Sequence, residues 1–327
     1  MGGSDGLRLR RLLRLRRRHR RSPQAPLRGG TGPAGAMSIP LLNASGCLDA
    51  LTAPDVARSL DAFVTKTITP LPREGNPPPR IAETAHGMLN SIGLQGPGIE
   101  AFLSDHLPVL AALGIPIWVS VGGFSAGDFA SVCERLDEHE EVATIELNLS
   151  CPNVEEAPET SAQIVAAARA ATTKTIYAKL SPASWDIAEG ARAVAAAGAE
   201  GLSLVNTIRG LALDPRTLRP RLPRAVGGYS GPALKPIALA CVHACSQAVD
   251  LPIVGMGGVA TGADALDLVA VGADSVALGT IFFSDPGAPV RIRAELEAGA
   301  AALGFAQPED AKGVASEIPD LQEFLTA

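Results

Sequence analysis

The chain has 327 residues, 46% of them hydrophobic but only 4% aromatic, with 34 glycines, which excludes a fibrous or disulfide-stapled polypeptide and points to one turn-rich α/β unit with an aliphatic core. Its formal charge of −6 is uneven: residues 1–36 hold ten arginines and one acid, so 18 of the 28 basic and 33 of the 34 acidic side chains lie beyond them. So acidic a body argues against nucleic acid as its partner, and no window approaches the ~18 uncharged apolar residues of a membrane span.

In chain order, the Arg-rich start, with LRLRRLLRLRRRHRR, reads as a disordered or spurious leader over residues 1–36 ahead of a true start at Met37. An organelle transit or membrane-surface segment has the same composition. Residues 37–327 read as one domain, in which short aliphatic runs ending in Gly, Asn, Ser or Thr alternate with helix-like segments. The strand-like runs are IPLLNASG (39–46), AFVTKTIT (62–69), IPIWVSVGG (115–123), TIELNLSCPN (144–153), IYAKLS (176–181), GLSLVNT (201–207), LPIVGMGG (251–258) and DSVALGT (274–280). Between them lie segments such as DFASVCERLDEH, SAQIVAAARAAT, WDIAEGARAVAAAG and GADALDLVAVG, several closed by a glycine in C-cap position. Eight apolar strands in such alternation predict parallel pairing with right-handed crossovers, and closure into a single (β/α)8 TIM barrel rather than an open doubly wound sheet. Between strands six and seven, RGLALDPRTLRPRLPRAVGGYSGPALKP is long and rich in Pro and Gly, which predicts a lid or small hairpin.

Five cysteines without CxxC spacing suit a reducing compartment with free thiols. Cys241 and Cys245 share a helix face on which His243 does not lie, the pattern of core packing rather than of a metal site.

A barrel gathers its chemistry at the C-terminal ends of its strands. Lys66 and Lys179 stand at such ends, placed either to snorkel from the rim or to offset negative charge on a substrate carboxylate or a reduced flavin. Asn90, Asn148, Asn153 and Asn206 each bring one acceptor and two donors, suited to a ring of alternating N–H and C=O groups. The endings GMGG (255–258) and LGT (278–280) expose backbone N–H groups at helix N-termini, where barrels hold a single phosphate; no GxGxxG or P-loop spacing occurs. Cys151 follows a strand end, precedes Pro152 and belongs to a lysine-containing site, surroundings that lower a thiol's pKa and suit a general base or nucleophile rather than an inert thiol.

With these residues the chain resembles the class 1 dihydroorotate dehydrogenases, cytosolic FMN enzymes of pyrimidine (UMP) biosynthesis. The likeness is carried by TKTITPLPREGNPPPR (65–80), NSIGLQ (90–95), ELNLSCPN (146–153), AKLSP (178–182), VNT (205–207), GGYSGPALKPIAL (227–239), GMGGV (255–259) and LGT (278–280), and spans nearly everything from residue 43 to residue 286. GGYSGPALKPIAL is similar to the branch that passes electrons to NAD through a separate iron–sulfur, FAD-containing subunit. The resemblance implies that Cys151 removes a proton from C5 of dihydroorotate while C6 delivers hydride to FMN. It implies that Lys66, Asn90, Asn148, Asn153, Asn206 and Thr207 hold the substrate, with the N–H groups of Ile92, Gly93 and Leu94 on its carboxylate. Ser45, Lys179, Gly231, Gly257, Gly258, Gly279 and Thr280 would hold FMN, with Lys66 and Asn148 shared between the two ligands. A cytoplasmic homodimer or partner-bound heterotetramer is implied as well.

Two features depart from the family pattern. The loop after SCPN is the short, glycine-free NVEEAPETSAQ where relatives carry Gly-Gly and Phe-Gly elements, and Gly96 stands where NAD-linked relatives have Asn. Two alternatives stay open: a flavin enzyme acting on another dihydropyrimidine, and a flavin-binding barrel without turnover.

Overall fold

A computed structural model describes residues 38–149 and 160–316. The Arg-rich leader, Cys151, Asn153 and the shortened loop as far as Glu159 lie outside the described residues. The described strands are β1 (Leu41–Asn43), β2 (Phe63–Val64), β3 (Ile81–Thr84), β4 (Gly87–Asn90), β5 (Ile117–Val121), β6 (Val142–Asn148), β7 (Thr175–Leu180), β8 (Gly201–Leu204), β9 (Ile208–Leu211), β10 (Val226–Ser230), β11 (Ile253–Met256) and β12 (Ser275–Leu278). Eight of them pair side by side in the order β1-β12-β11-β8-β7-β6-β5-β2, all in parallel. A parallel bridge between Leu42 and Ala62 joins the two ends and closes the ring. This is the expected (β/α)8 barrel, and each of the eight runs read from the sequence supplies one of its strands.

Alternation within the strands explains why both faces are apolar. Leu42, Val64, Trp118, Tyr177, Val254, Met256 and Ala277 form one small buried cluster. The intervening positions, such as Leu41, Ile117, Ile145, Ile176, Leu202 and Ile253, join a larger core with helix residues such as Val132, Ala168, Ala191 and Val242. In the smaller cluster the Trp118 and Tyr177 rings meet at 4.6 Å between centroids. Gly201 makes room for them, since a Cβ there would fall 2.3 Å from the Tyr177 ring.

The surrounding helices begin where their caps stand. Ser125, Thr160, Asp186 and Thr261 each accept a hydrogen bond from the third residue of the helices Ala126–Asp137, Ser161–Ala171, Ile187–Ala196 and Gly262–Ala270. Gly114, Gly198 and Gly272 follow helices with φ of +76°, +106° and +118°, the left-handed stop that the sequence pattern indicated. In the helix Lys235–Ala248, Cys241 and Cys245 are both buried, and the Cys245 thiol donates to the Ile187 carbonyl at 3.7 Å. The helix Ala288–Ala302 escaped the pattern reading because alanine, glycine and charge dominate it; it buries Ile292, Leu296 and Ala300.

The insertion after β8 does form a hairpin, β9 against β10, within a four-stranded antiparallel sheet of order β3-β4-β10-β9. The other half of this sheet, β3 and β4, was not legible in the sequence. The reason is the smallness of its apolar face, which buries only Ala82 and Leu89, together with Leu222.

Candidate active site

The C-terminal ends of the barrel strands, with the small sheet beside them, enclose a cavity of ≈ 370 Å³. Fifteen of the candidate residues line it. Ser45 follows β1, Lys66 follows β2 and Asn90 ends β4, with Ile92, Gly93 and Leu94 in the loop beyond. Asn148 ends β6, Lys179 is in β7, and Asn206 and Thr207 follow β8. Gly231 follows β10, Gly257 and Gly258 follow β11, and Gly279 and Thr280 follow β12.

Lys66 owes its direction to an irregular strand. Thr65 donates its N–H to the Trp118 carbonyl at 2.9 Å, but the next ladder bond to β5 runs from Ile68 to the Ser120 carbonyl at 2.7 Å. Regular pairing would use Thr67 for that bond. The additional residue is a bulge, a feature that re-aims side chains, and both Lys66 and Thr67 line the cavity. The Lys66 stem passes over Gly46, where φ is +77° and a Cβ would fall 2.8 Å from Lys66 Cδ.

Lys179 is buried, and its ammonium lies 3.3 Å from the buried carboxylate of Glu146 on the adjacent strand β6. A charge withdrawn from water to this degree requires such a partner.

The amides form a connected array. Asn206 Nδ2 donates to Asn148 Oδ1 at 3.0 Å, Asn148 Nδ2 donates to Thr67 Oγ1 at 3.1 Å, and Thr207 N–H donates to Asn206 Oδ1 at 2.8 Å. Asn90 Nδ2 donates to the Gly228 carbonyl at 3.2 Å. Glycine at 228 is what admits Thr207, whose Oγ1 lies 2.2 Å from the place a Cβ would take.

The glycine-rich side differs in one respect from the sequence expectation. The N-terminus of the helix Gly262–Ala270 is already occupied by carboxylates: Asp264 accepts from Ala260 and Thr261 N–H, and Glu295 accepts from Gly262 N–H at 2.7 Å. What stays suited to an anion is the turn before it, in which Gly257 and Gly258 have φ of +127° and +79°. A Cβ on Gly258 would fall 2.8 Å from both the N and the Cβ of Lys235, so only glycine lets the turn approach the start of that helix so closely.

Among the cavity-lining residues outside the candidate set are Thr67, Gly46, Cys47 and Ser230. Burial pushes the Cys47 thiol up, opposed by the charges of Lys179 and Lys66. Only the NASGC run after β1 hinted at Cys47, and nothing local announces the bulge that turns Thr67 inward.

A sequence profile described as dihydroorotate dehydrogenase matches residues 35–299. Three relatives are named dihydroorotate dehydrogenase B (NAD(+)), catalytic subunit. That of Latilactobacillus sakei is 45% identical over 310 residues, covering 90% of this chain and 94% of its own. That of Listeria monocytogenes is 40% identical over 290 residues, covering 86% and 95%. The Geobacter sulfurreducens protein is 44% identical over 262 residues, covering 78% and 86%. The crystal structure of DHODH from Eimeria tenella in complex with ferulenol aligns with a TM-score of 0.72 over 85% of this chain and 86% of that one, and at 22% identity it shows the shared fold. On the extent of the profile match and the identity to these relatives, the chain belongs to the dihydroorotate dehydrogenase family.

Proposed function

We propose that the chain oxidises (S)-dihydroorotate to orotate with FMN, as the catalytic subunit of a partner-dependent enzyme of pyrimidine synthesis. The reading rests on one observation: a single cavity gathers Lys66, Lys179, the amides of Asn90, Asn148 and Asn206, and the glycine turns after β11 and β12. Its residues fit FMN. Gly231, Gly257 and Gly258 have φ of +110°, +127° and +79°, and a Cβ on them would collide with Gly87, Ala238 and Lys235, so only glycine lets these turns line the cavity, where their backbone N–H groups suit one phosphate group. Ser45, Lys66, Asn148, Gly279 and Thr280 complete the cofactor set, and Lys179 offsets negative charge gained there.

When bound, FMN supplies the acceptor for the hydride that leaves C6 of the substrate. Cys151 takes the C5 proton on its sulfur, so loss of one hydride and one proton converts dihydroorotate to orotate. Asn90, Asn148, Asn153, Asn206 and Thr207 orient the ring, and Lys66 faces its charge. The N–H groups of Ile92, Gly93 and Leu94 receive the carboxylate on a turn in which Gly93 and Leu94 have φ of +78° and +55°.

The words "catalytic subunit" and "NAD(+)" in the relatives' names support a partner. In this reading it is an iron–sulfur, FAD-containing subunit that carries electrons to NAD, within a heterotetramer; a homodimer is the alternative assembly. The enzyme works in the cytoplasm, with residues 37–327 as its catalytic domain and 1–36 as a leader. Among the described residues no helix is long and apolar enough to cross a membrane.

The test is spectroscopic. Purified from Met37, the protein is expected to be yellow and to bleach when dihydroorotate is added without oxygen, while Cys151→Ala stays yellow and oxidised. Flavin that ignores dihydroorotate but bleaches with another dihydropyrimidine would replace the substrate. A protein that bleaches with neither would be the non-catalytic barrel.

A further inference from the structure

The bulge in the second barrel strand carries a consequence for the two asparagines at the cavity. Because Ile68 rather than Thr67 donates to the Ser120 carbonyl, the Thr67 side chain is turned into the cavity wall, where the residue is 2% exposed. Its hydroxyl lies 3.1 Å from Ser120 Oγ and 3.4 Å from Ser45 Oγ, and accepts from Asn148 Nδ2 at 3.1 Å.

The direction of every bond in this chain follows from one end. A backbone N–H can only donate, so the Thr207 N–H fixes Asn206 with Oδ1 toward it at 2.8 Å. Asn206 Nδ2 then points at Asn148, which must offer Oδ1. Asn148 in turn must offer Nδ2 to Thr67, whose oxygen accepts and whose own hydrogen passes to a neighbouring serine. At Ser45 the hydroxyl hydrogen is already engaged by the Thr65 carbonyl at 3.0 Å, so Ser45 can only accept from Thr67.

We propose that Thr67 is a positioning residue: Asn206 sets which way the carboxamide of Asn148 faces, and the Thr67 hydroxyl accepts one Nδ2 hydrogen and holds the group so that the second is kept for a ligand oxygen at the cavity. Resting on the functional reading above, this assigns Asn148 to a ring carbonyl of the pyrimidine rather than to a ring N–H. Without the hydroxyl an amide hydrogen of the half-buried Asn148 loses its acceptor, and a turned-over Asn148 would set its Nδ2 against that of Asn206. Neither orientation is then satisfied, and the ligand must order the amide itself.

The test uses the flavin-loaded enzyme with orotate as the probe, read by the shift of the bound flavin's visible spectrum. Thr67→Val, which keeps the shape and removes the hydroxyl, is expected to weaken orotate by about tenfold or more, the order of one buried hydrogen bond left unmade. KM for dihydroorotate should rise by a similar factor with kcat changed less, and Thr67→Ser should stay within about threefold of the parent. Thr67→Ala enters the same comparison if the valine variant does not retain flavin. Thr67→Val binding orotate as the parent does, or Thr67→Ser proving as weak as Thr67→Val, overturns the inference alone. A parent enzyme whose flavin does not respond to orotate overturns the functional reading and this inference with it.

Discussion

The ammonium of Lys179 and the carboxylate of Glu146 stand 3.3 Å apart on neighbouring barrel strands, with side chains only 6% and 1% exposed. Such a pair contributes little net stability, yet removing one partner takes from the other a large part of what offsets its burial. Glu146→Gln is therefore expected to destabilise the protein by about 3–5 kcal/mol. The double variant Glu146→Gln, Lys179→Met should recover much of that loss. Denaturant unfolding of the three proteins checks this, and a single variant as stable as the parent would contradict it.

Two glycines near the cavity should behave in opposite ways. Gly258 has φ of +79° and a Cβ there would meet Lys235 at 2.8 Å, so Gly258→Ala should cost about 1–3 kcal/mol and lower the flavin-to-protein ratio. At Gly96 the φ is not in the left-handed range, and a Cβ would meet only the Thr67 carbonyl oxygen, at 3.7 Å. Gly96→Ala should be neutral or stabilise by up to about 1 kcal/mol, and the departure from the asparagine of related chains is sterically harmless. Melting temperature and flavin content measured together separate the two cases.

Burial pushes the thiols of Cys133 and Cys245 up to about 12. Iodoacetamide at pH 8 should leave both unlabelled in the folded protein and label both in denaturant. If Cys151 is the base proposed above, it should be labelled under the same native conditions and be protected by orotate. Peptide mass mapping reads all three at once.

Asp137 ends the helix Ala126–Asp137 by accepting from Thr172 Oγ1 and Thr173 N–H, each at 2.6 Å. The Thr172 hydroxyl, ahead of the Thr173 amide, lowers its pKa from 3.8 to about 2. A carboxylate depressed in the folded state stabilises above its unfolded pKa, and the contribution fades as pH falls from about 4 through about 2. The side chain is solvent-accessible, so screening keeps the effect small, under about 1 kcal/mol. Asp137→Asn should be the less stable protein at pH 7, and the gap should close by about pH 2. Urea midpoints across that range would show it.

The barrel was legible because its signals are local. A parallel strand covered on both faces is a short aliphatic run, its exit is marked by Gly, Asn or Thr, and eight such runs alternating with capped helices leave few other architectures. The same logic exposed the candidate site, since Lys66, Asn148, Lys179, Asn206 and the glycine pairs all stand where a run stops. Pattern could not reveal the partner that each polar group takes. Asn90 reaches the cavity from a hairpin with few buried apolar side chains, Ala82, Met88 and Leu89, and its amide answers to Gly228, 138 residues onward.

Spacing and residue type by themselves determined the eight barrel strands and the chemistry collected at their ends. Only closure of the ring decided the bulge that turns Thr67 inward, the pairing of Glu146 with Lys179 and the capture of the Gly262 N–H by Glu295. Those outcomes depend on which distant atoms arrive within 3 to 4 Å once water is excluded, and periodicity along a chain records burial but not the neighbour that burial brings.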